Sequence, residues 1–174
     1  MRALQAGRDA LGRALDGVDA EIEHRRPANG GWTIAECVEH VAVSERYLLG
    51  RLRAAQPAER SLENRVREAQ IQARGADRTR PVECPADWQP RGRFASALEA
   101  LADFDAARAE TVAFVESFDG DPRSWMTDHP VIPGPVNVVE LLLTMAVHPA
   151  RHAQQIEELH CGQGSGAIKS GEGR

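Results

Sequence analysis

The 174-residue sequence predicts an all-α protein, a four-helix bundle whose second and third helices are joined by a long crossover carrying a short extra helix. Four long segments with apolar residues at helical spacing predict the bundle, and two of them open on capping sequences. No stretch alternates apolar and polar residues convincingly as a half-buried strand would, and no internal repeat is present. With 42% hydrophobic and 27% charged residues, the chain has the balance of one ordinary globular domain. It is long enough for one core and too short for two comfortable ones.

The first helix is predicted over residues 3–24, where Leu4, Leu11, Leu15, Val18 and Ile22 form one seam at i, i+7, i+11, i+14 and i+18. Arg25-Arg26-Pro27 and Asn29-Gly30-Gly31 close it. Thr33 followed by Glu36 is a capping box, so the second helix begins at Ile34. Its apolar stripe runs Ile34, Cys37, Val38, Val41, Leu48 and Leu52, with His40 at the border beside Ser44 and Tyr47. Residues 56–92 are the crossover. A polar helix over Ser61–Arg74 rests on Leu62, Val66, Ala69 and Ala73, and Pro81, Pro85 and Pro90 keep the chain extended through Trp88.

The third helix spans Phe94–Phe118, with Phe94, Leu98, Leu101, Val112 and Val115 on its core face. Asp105 and Arg108 interrupt that face at i, i+3 and read as an ion pair at the rim of the core. A loop over 119–136 holds Trp125, His129-Pro130 and Pro133-Gly134-Pro135. Asn137 with Glu140 caps the fourth helix, which runs to about Cys161. The bundle is thus expected over 1–161, with a disordered Gly/Ser-rich tail at 162–174.

A net charge of −5 and scattered arginines argue against nucleic acid or an anionic membrane as partner. No run reaches the length of a membrane span, so a cytoplasmic protein acting on a small-molecule substrate is expected. Exposed faces of such bundles pair, which makes a homodimer an expectation as well. The three cysteines, Cys37, Cys84 and Cys161, are widely spaced and read as free thiols.

The fourth helix carries the chemistry. Val138, Leu141, Leu142, Met145, His152, Ile156 and Leu159 share one stripe, and His148 lies on its flank one turn before His152. Two imidazoles at i, i+4 on an inward face are a standard pair of metal ligands. An isolated pair is more often two satisfied half-buried histidines. Here His40, near the middle of the second helix, can match the depth of His148 and His152, and that mutual fit favours a three-histidine site. Zinc or nickel suits such a donor set.

Three stretches resemble the DinB superfamily of DinB/YfiT-like metalloenzymes. Trp32-Thr33-Ile34-Ala35-Glu36-Cys37-Val38-Glu39-His40 is similar to the family's W-x-x-x-E-x-x-x-H opening of the second helix. His129-Pro130 through Gly134, with Val136 to Glu140, resembles its approach to the fourth helix. His148-Pro149-Ala150-Arg151-His152-Ala153-Gln154-Gln155-Ile156 matches H-x-x-x-H-x-x-Q-I. The resemblance implies up-down-down-up connectivity and a metal held by His40, His148 and His152. It also implies chemistry of the family's kinds, among them S-transfer to a low-molecular-weight thiol such as bacillithiol or mycothiol, and maleylpyruvate isomerisation.

Three imidazoles leave a fourth position for water or a thiol, which points to a transferase or hydrolase. Filling that position with His129, Cys37 or His160 would instead make a structural site. The alternative from another class is a non-catalytic, dimeric interaction bundle that has lost its metal. Glu36, Glu39, Ser44, Tyr47 and Gln155 are the candidates for supporting groups. Pro149 departs from the helix formers usual inside such a motif. It has no N–H for the Met145 carbonyl, so a kink or bulge is expected beside His148.

Overall fold

The computed structural model describes residues 1–58, 65–79 and 82–164. Its helices are α1 (Arg2–Ala14), α2 (Ala20–His24), α3 (Ile34–Arg53), α4 (Arg65–Ala76), α5 (Ala97–Ser117) and α6 (Val138–Gly164). The four-helix bundle is built from α1 with its continuation α2, then α3, α5 and α6, and α4 packs on α6 from the crossover. Among the described residues no helix is long and apolar enough to cross a membrane.

The single first helix predicted over 3–24 is two helices. Gly17 adopts φ of 77°, a left-handed conformation that ends the turn after α1, and the Asp19 side chain then caps α2 through the amides of Glu21 and Ile22. The seam survives the break because Leu15, Val18 and Ile22 still pack on the core.

α3 starts as predicted. Glu36 N–H donates to Thr33 Oγ1 at 3.2 Å, and Thr33 N–H donates to Glu36 Oε2 at 2.8 Å. Its stripe from Ile34 to Leu52 is buried at every predicted position. α6 opens on the reciprocal pair of Asn137 and Glu140 and continues three residues past the predicted end at Cys161. Residues 162–164 of the expected tail are therefore helical. The rest of that tail, 165–174, and the predicted start of the crossover helix at Ser61 lie outside the described residues.

On α5 the predicted face is rotated. Ala97, Ala100, Phe104, Ala107, Arg108 and Thr111 are buried, whereas Leu98 is 69% exposed. Small alanines, not the larger aliphatics, let α5 approach α3 closely, so size rather than hydropathy selects the face. The expected Asp105–Arg108 pair does not form. Asp105 accepts from Arg8 of α1, and Arg108 turns into the core to meet Glu45 of α3.

Arg108 also answers the problem posed by Pro149. α6 runs uninterrupted through that proline, and Arg108 Nη2 donates at 2.8 Å to the Met145 carbonyl that Pro149 cannot serve.

Short strands, absent from the predicted elements, tie the bundle's end together. β1 (Gln56–Pro57), β2 (Trp125–Thr127) and β3 (Val136–Asn137) form an antiparallel sheet in that order, with Gln56 opposite Met126 and Thr127 opposite Val136. Two or three residues are too few to show alternation in sequence. The sheet holds the β2–β3 loop, with His129, against the start of α6.

Two apolar clusters make the core. Leu11, Ile34, Phe104 and Ile156 lie in one, and Leu48, Leu52, Trp88, Leu141 and Met145 in the other. On α3 and α6 the polar residues Ser44, Glu45, His148 and His152 fall between the segments that feed these clusters. That polar layer is where the histidines meet.

Candidate metal centre

His40, His148 and His152 converge as the sequence predicts, and their ligand atoms all lie within 4.8 Å of one another. His148 Nε2 is 3.1 Å from His40 Nε2 and 3.1 Å from His152 Nε2. A tetrahedral metal with bonds of 2.0–2.1 Å separates its ligand nitrogens by about 3.3 Å, so the spacing suits such an ion.

The other ring nitrogens fix the tautomers. His40 Nδ1 faces the Trp88 carbonyl at 3.0 Å and donates to it. Ser44 Oγ gives its own proton to the Val41 carbonyl, so at 3.2 Å it accepts from His148 Nδ1. His152 Nδ1 faces Gln155 Oε1 at 3.0 Å, an atom identified as oxygen because Arg78 Nη1 also donates to it. Each ring thus carries its proton on Nδ1 and aims a bare Nε2 lone pair at the same point. Three lone pairs at this distance repel one another unless a cation lies between them. The donor set fits a divalent metal.

Burial keeps the rings neutral. It lowers the pKa of His40 against the opposing bond to Trp88, lowers His148 well below 6.5 with help from His152 and His40, and lowers His152 to about 3. His129 is likewise lowered, to about 4, by burial. In the unfolded chain these rings protonate near 6.5, so the unfolded state gains protons first as pH falls. Stability present above pH 6.5 is lost below it, by about 1 kcal/mol per histidine between pH 6.5 and 5.5. For the metal-free protein, urea unfolding at the two pH values is expected to differ by on the order of 3 kcal/mol across His129, His148 and His152, the three rings held furthest below 6.5.

Of the supporting candidates, Ser44 and Gln155 touch the imidazoles directly. Glu39 does not. It accepts from the amides of Arg91 and Gly92 and from Arg93 Nη1, and these donors outweigh burial to hold its pKa below the usual value. Its carboxylate thereby pins the crossover just beyond Trp88, whose carbonyl orients His40. Glu36 is spent on the α3 cap and on Arg26, and Tyr47 packs edge-on against Trp88.

None of the three candidates for a fourth ligand joins the cluster. Cys37 faces the apolar core with its thiol pushed up to about 12 by burial. His160 lies near Gly17, two turns beyond His152. His129 spends Nδ1 on the amides of Val131 and Ile132.

All three histidines line a cavity of about 710 Å³ formed by α3, α4, residues 82–88, the 129–133 loop and α6. Gly75 lets α4 close on α6, since a Cβ there would overlap Val147. Trp32 and Trp88 flank His40 at ring separations of 4.8 and 6.2 Å. Sequence reasoning missed the Trp88 carbonyl, because a backbone acceptor leaves no residue signature. It also missed the arginines of the cavity wall, which lie scattered in sequence and gather only when α4 packs on α6.

The model of the DinB superfamily matches residues 3–156, nearly the whole described chain. The chain belongs to the DinB superfamily. Among solved structures this DinB protein is similar to YfiT from Bacillus subtilis, described as "a probable metal-dependent hydrolase with an unusual four-helix bundle topology". The two share 18% identity and a TM-score of 0.62 over 94% of this chain and 85% of YfiT, a likeness of fold. A comparison with curated proteins finds no match.

Proposed function

We propose that this DinB protein is a metal-dependent enzyme, a hydrolase in the first instance, in which His40, His148 and His152 hold one zinc or nickel ion. The observation that carries the reading is the convergence of three lone pairs whose tautomers are fixed by Trp88, Ser44 and Gln155. A divalent metal bound there supplies a Lewis acid and acidifies the water or thiol in its remaining position. The chain's own residues shape what reaches it. Burial of the rings between two apolar clusters excludes bulk water from their far sides, and Trp32 and Trp88 wall the approach.

The cavity wall carries Arg67, Arg74, Arg78 and Arg151, with Glu83 as the lining carboxylate; Arg78 pairs with Glu158 and Arg67 lies 3.5 Å from Glu140, which leaves a smaller positive excess. That balance favours an anionic small molecule in a protein whose net charge is −5. A second reading, transfer to a low-molecular-weight thiol, draws on the same wall and on a volume with room for a thiol beside an electrophile.

The test is turnover by protein stripped with a chelator and then reloaded with zinc or nickel. Ester and amide panels are expected to react only with the loaded protein, and not with His40→Ala. Reaction confined to mixtures of a thiol and an electrophile would select the second reading. A metal bound without turnover of any panel would leave a non-catalytic binding bundle.

A further inference from the structure

The three imidazoles are not oriented by equivalent partners. His40 Nδ1 faces a backbone carbonyl, and His148 Nδ1 faces a hydroxyl whose own proton goes to the Val41 carbonyl. Both partners present an acceptor. His152 Nδ1 instead faces the side-chain amide of Gln155, at 3.0 Å. A primary amide exchanges oxygen for nitrogen by a half-turn about its last bond, with almost no change of shape. With the nitrogen inward, His152 would accept at Nδ1 and carry its proton on Nε2, and its lone pair would be lost to the centre. Something must hold the oxygen inward.

Arg78, two residues past the end of α4, is placed to do so. A guanidinium has five N–H donors and no acceptor. Arg78 Nη1 donates at 3.3 Å to Gln155 Oε1, the same oxygen that faces His152. A reversed amide would set donor against donor at that contact. The guanidinium is itself fixed by Glu158, with Nε donating to Oε1 at 3.1 Å and Nη2 to Oε2 at 2.7 Å. His152, Gln155 and Glu158 follow one another at i, i+3 along one face of α6, so a single arginine lying over that face grips two of them and governs the third. The turn that carries Arg78 is held as well. Asp77 Oδ1 accepts from the amide of Thr79 at 2.9 Å and from its hydroxyl at 2.6 Å, and Arg151 donates to the Asp77 carbonyl.

We propose that Arg78 is a positioning residue for His152: by tolerating only the oxygen of Gln155, it fixes the ring proton on Nδ1 and keeps Nε2 free to bind a metal. This rests on the metal reading above for its purpose, but its first test needs no metal. The crossover supplies none of the three histidines, yet the seating of α4 and its following turn on α6 sets the state of one of them.

The experiment records the imidazole nitrogen resonances of chelator-stripped, histidine-labelled protein at about pH 8, above the ordinary histidine pKa. The wild type is expected to carry the His152 proton on Nδ1, and Arg78→Met to show both tautomers. Gln155→Glu offers two oxygens and no N–H, so in that background Arg78→Met is expected to leave the proton on Nδ1. Competition for zinc gives the second readout. Arg78→Met is expected to weaken binding about tenfold beside Gln155, the low end of what losing an orienting partner costs, and not at all in the Gln155→Glu background. An arginine with a merely structural role would cost the same in both. A His152 proton on Nε2 in the wild type, a proton wholly on Nδ1 in Arg78→Met, or equal zinc losses in the two backgrounds would each overturn the proposal. If the wild type binds no zinc, the metal reading falls and the tautomers alone decide this one.

Discussion

Arg108→Leu is expected to destabilise the bundle by about 3–5 kcal/mol, a large share of the total stability of a domain this size. The residue is 6% exposed, and every nitrogen of its guanidinium is engaged. Nε and Nη2 clasp the Glu45 carboxylate at 2.7 and 3.0 Å, Nη1 donates to the Leu4 carbonyl at 2.6 Å, and Nη2 also reaches Met145. Removing it leaves Glu45 buried with only Thr111 as a donor among the described residues. Burial already raises the Glu45 pKa and Arg108 opposes that rise, so the variant forces Glu45 to take up a proton or remain charged in the core.

It also orphans the Met145 carbonyl. In the Arg108→Leu background, Pro149→Ala restores a backbone N–H for Met145. It should recover about 1–3 kcal/mol by urea unfolding. Equal effects of Pro149→Ala in both backgrounds would show that Arg108 does not stand in for the missing amide.

The second large effect falls on metal affinity. His152→Ala removes a proposed ligand, and His40→Ala removes another together with its bond to Trp88. Each is expected to weaken zinc binding by more than about 100-fold, the upper end of what loss of a mere supporting partner costs. Ser44→Ala, which frees the His148 ring to turn and changes no ligand, should fall within about 10–100-fold. Competition with a chromophoric chelator reads all three. A Ser44→Ala loss as large as that of a ligand variant would mean that the hydroxyl does more than orient the ring.

Much of this was legible in the sequence, and for stated reasons. The α3 cap, its buried stripe and the i, i+4 histidines are local patterns, set by residues a turn or less apart. The depth match of His40 with His148 and His152 followed from helix lengths alone. Apart from the break at Gly17 and the short strands, what failed was set by distant partners. The α5 face turned because alanines permit close approach to α3, and Arg108 left Asp105 because Glu45 and Met145 wait in the core. At Pro149 the sequence predicts a kink or bulge, and no local pattern shows that a guanidinium from another helix replaces its amide. His129 was read as a candidate ligand, but its Nδ1 is committed to its own loop by a turn geometry that imidazoles seldom supply.

The most direct test of the three-histidine centre is a cobalt titration of chelator-stripped wild type, followed by visible absorption. Saturation at one equivalent per chain is expected, with the intense bands of a four- or five-coordinate ion, and displacement of cobalt by zinc. No saturable binding, or the weak spectrum of an octahedral ion unchanged in His148→Ala/His152→Ala, would contradict it.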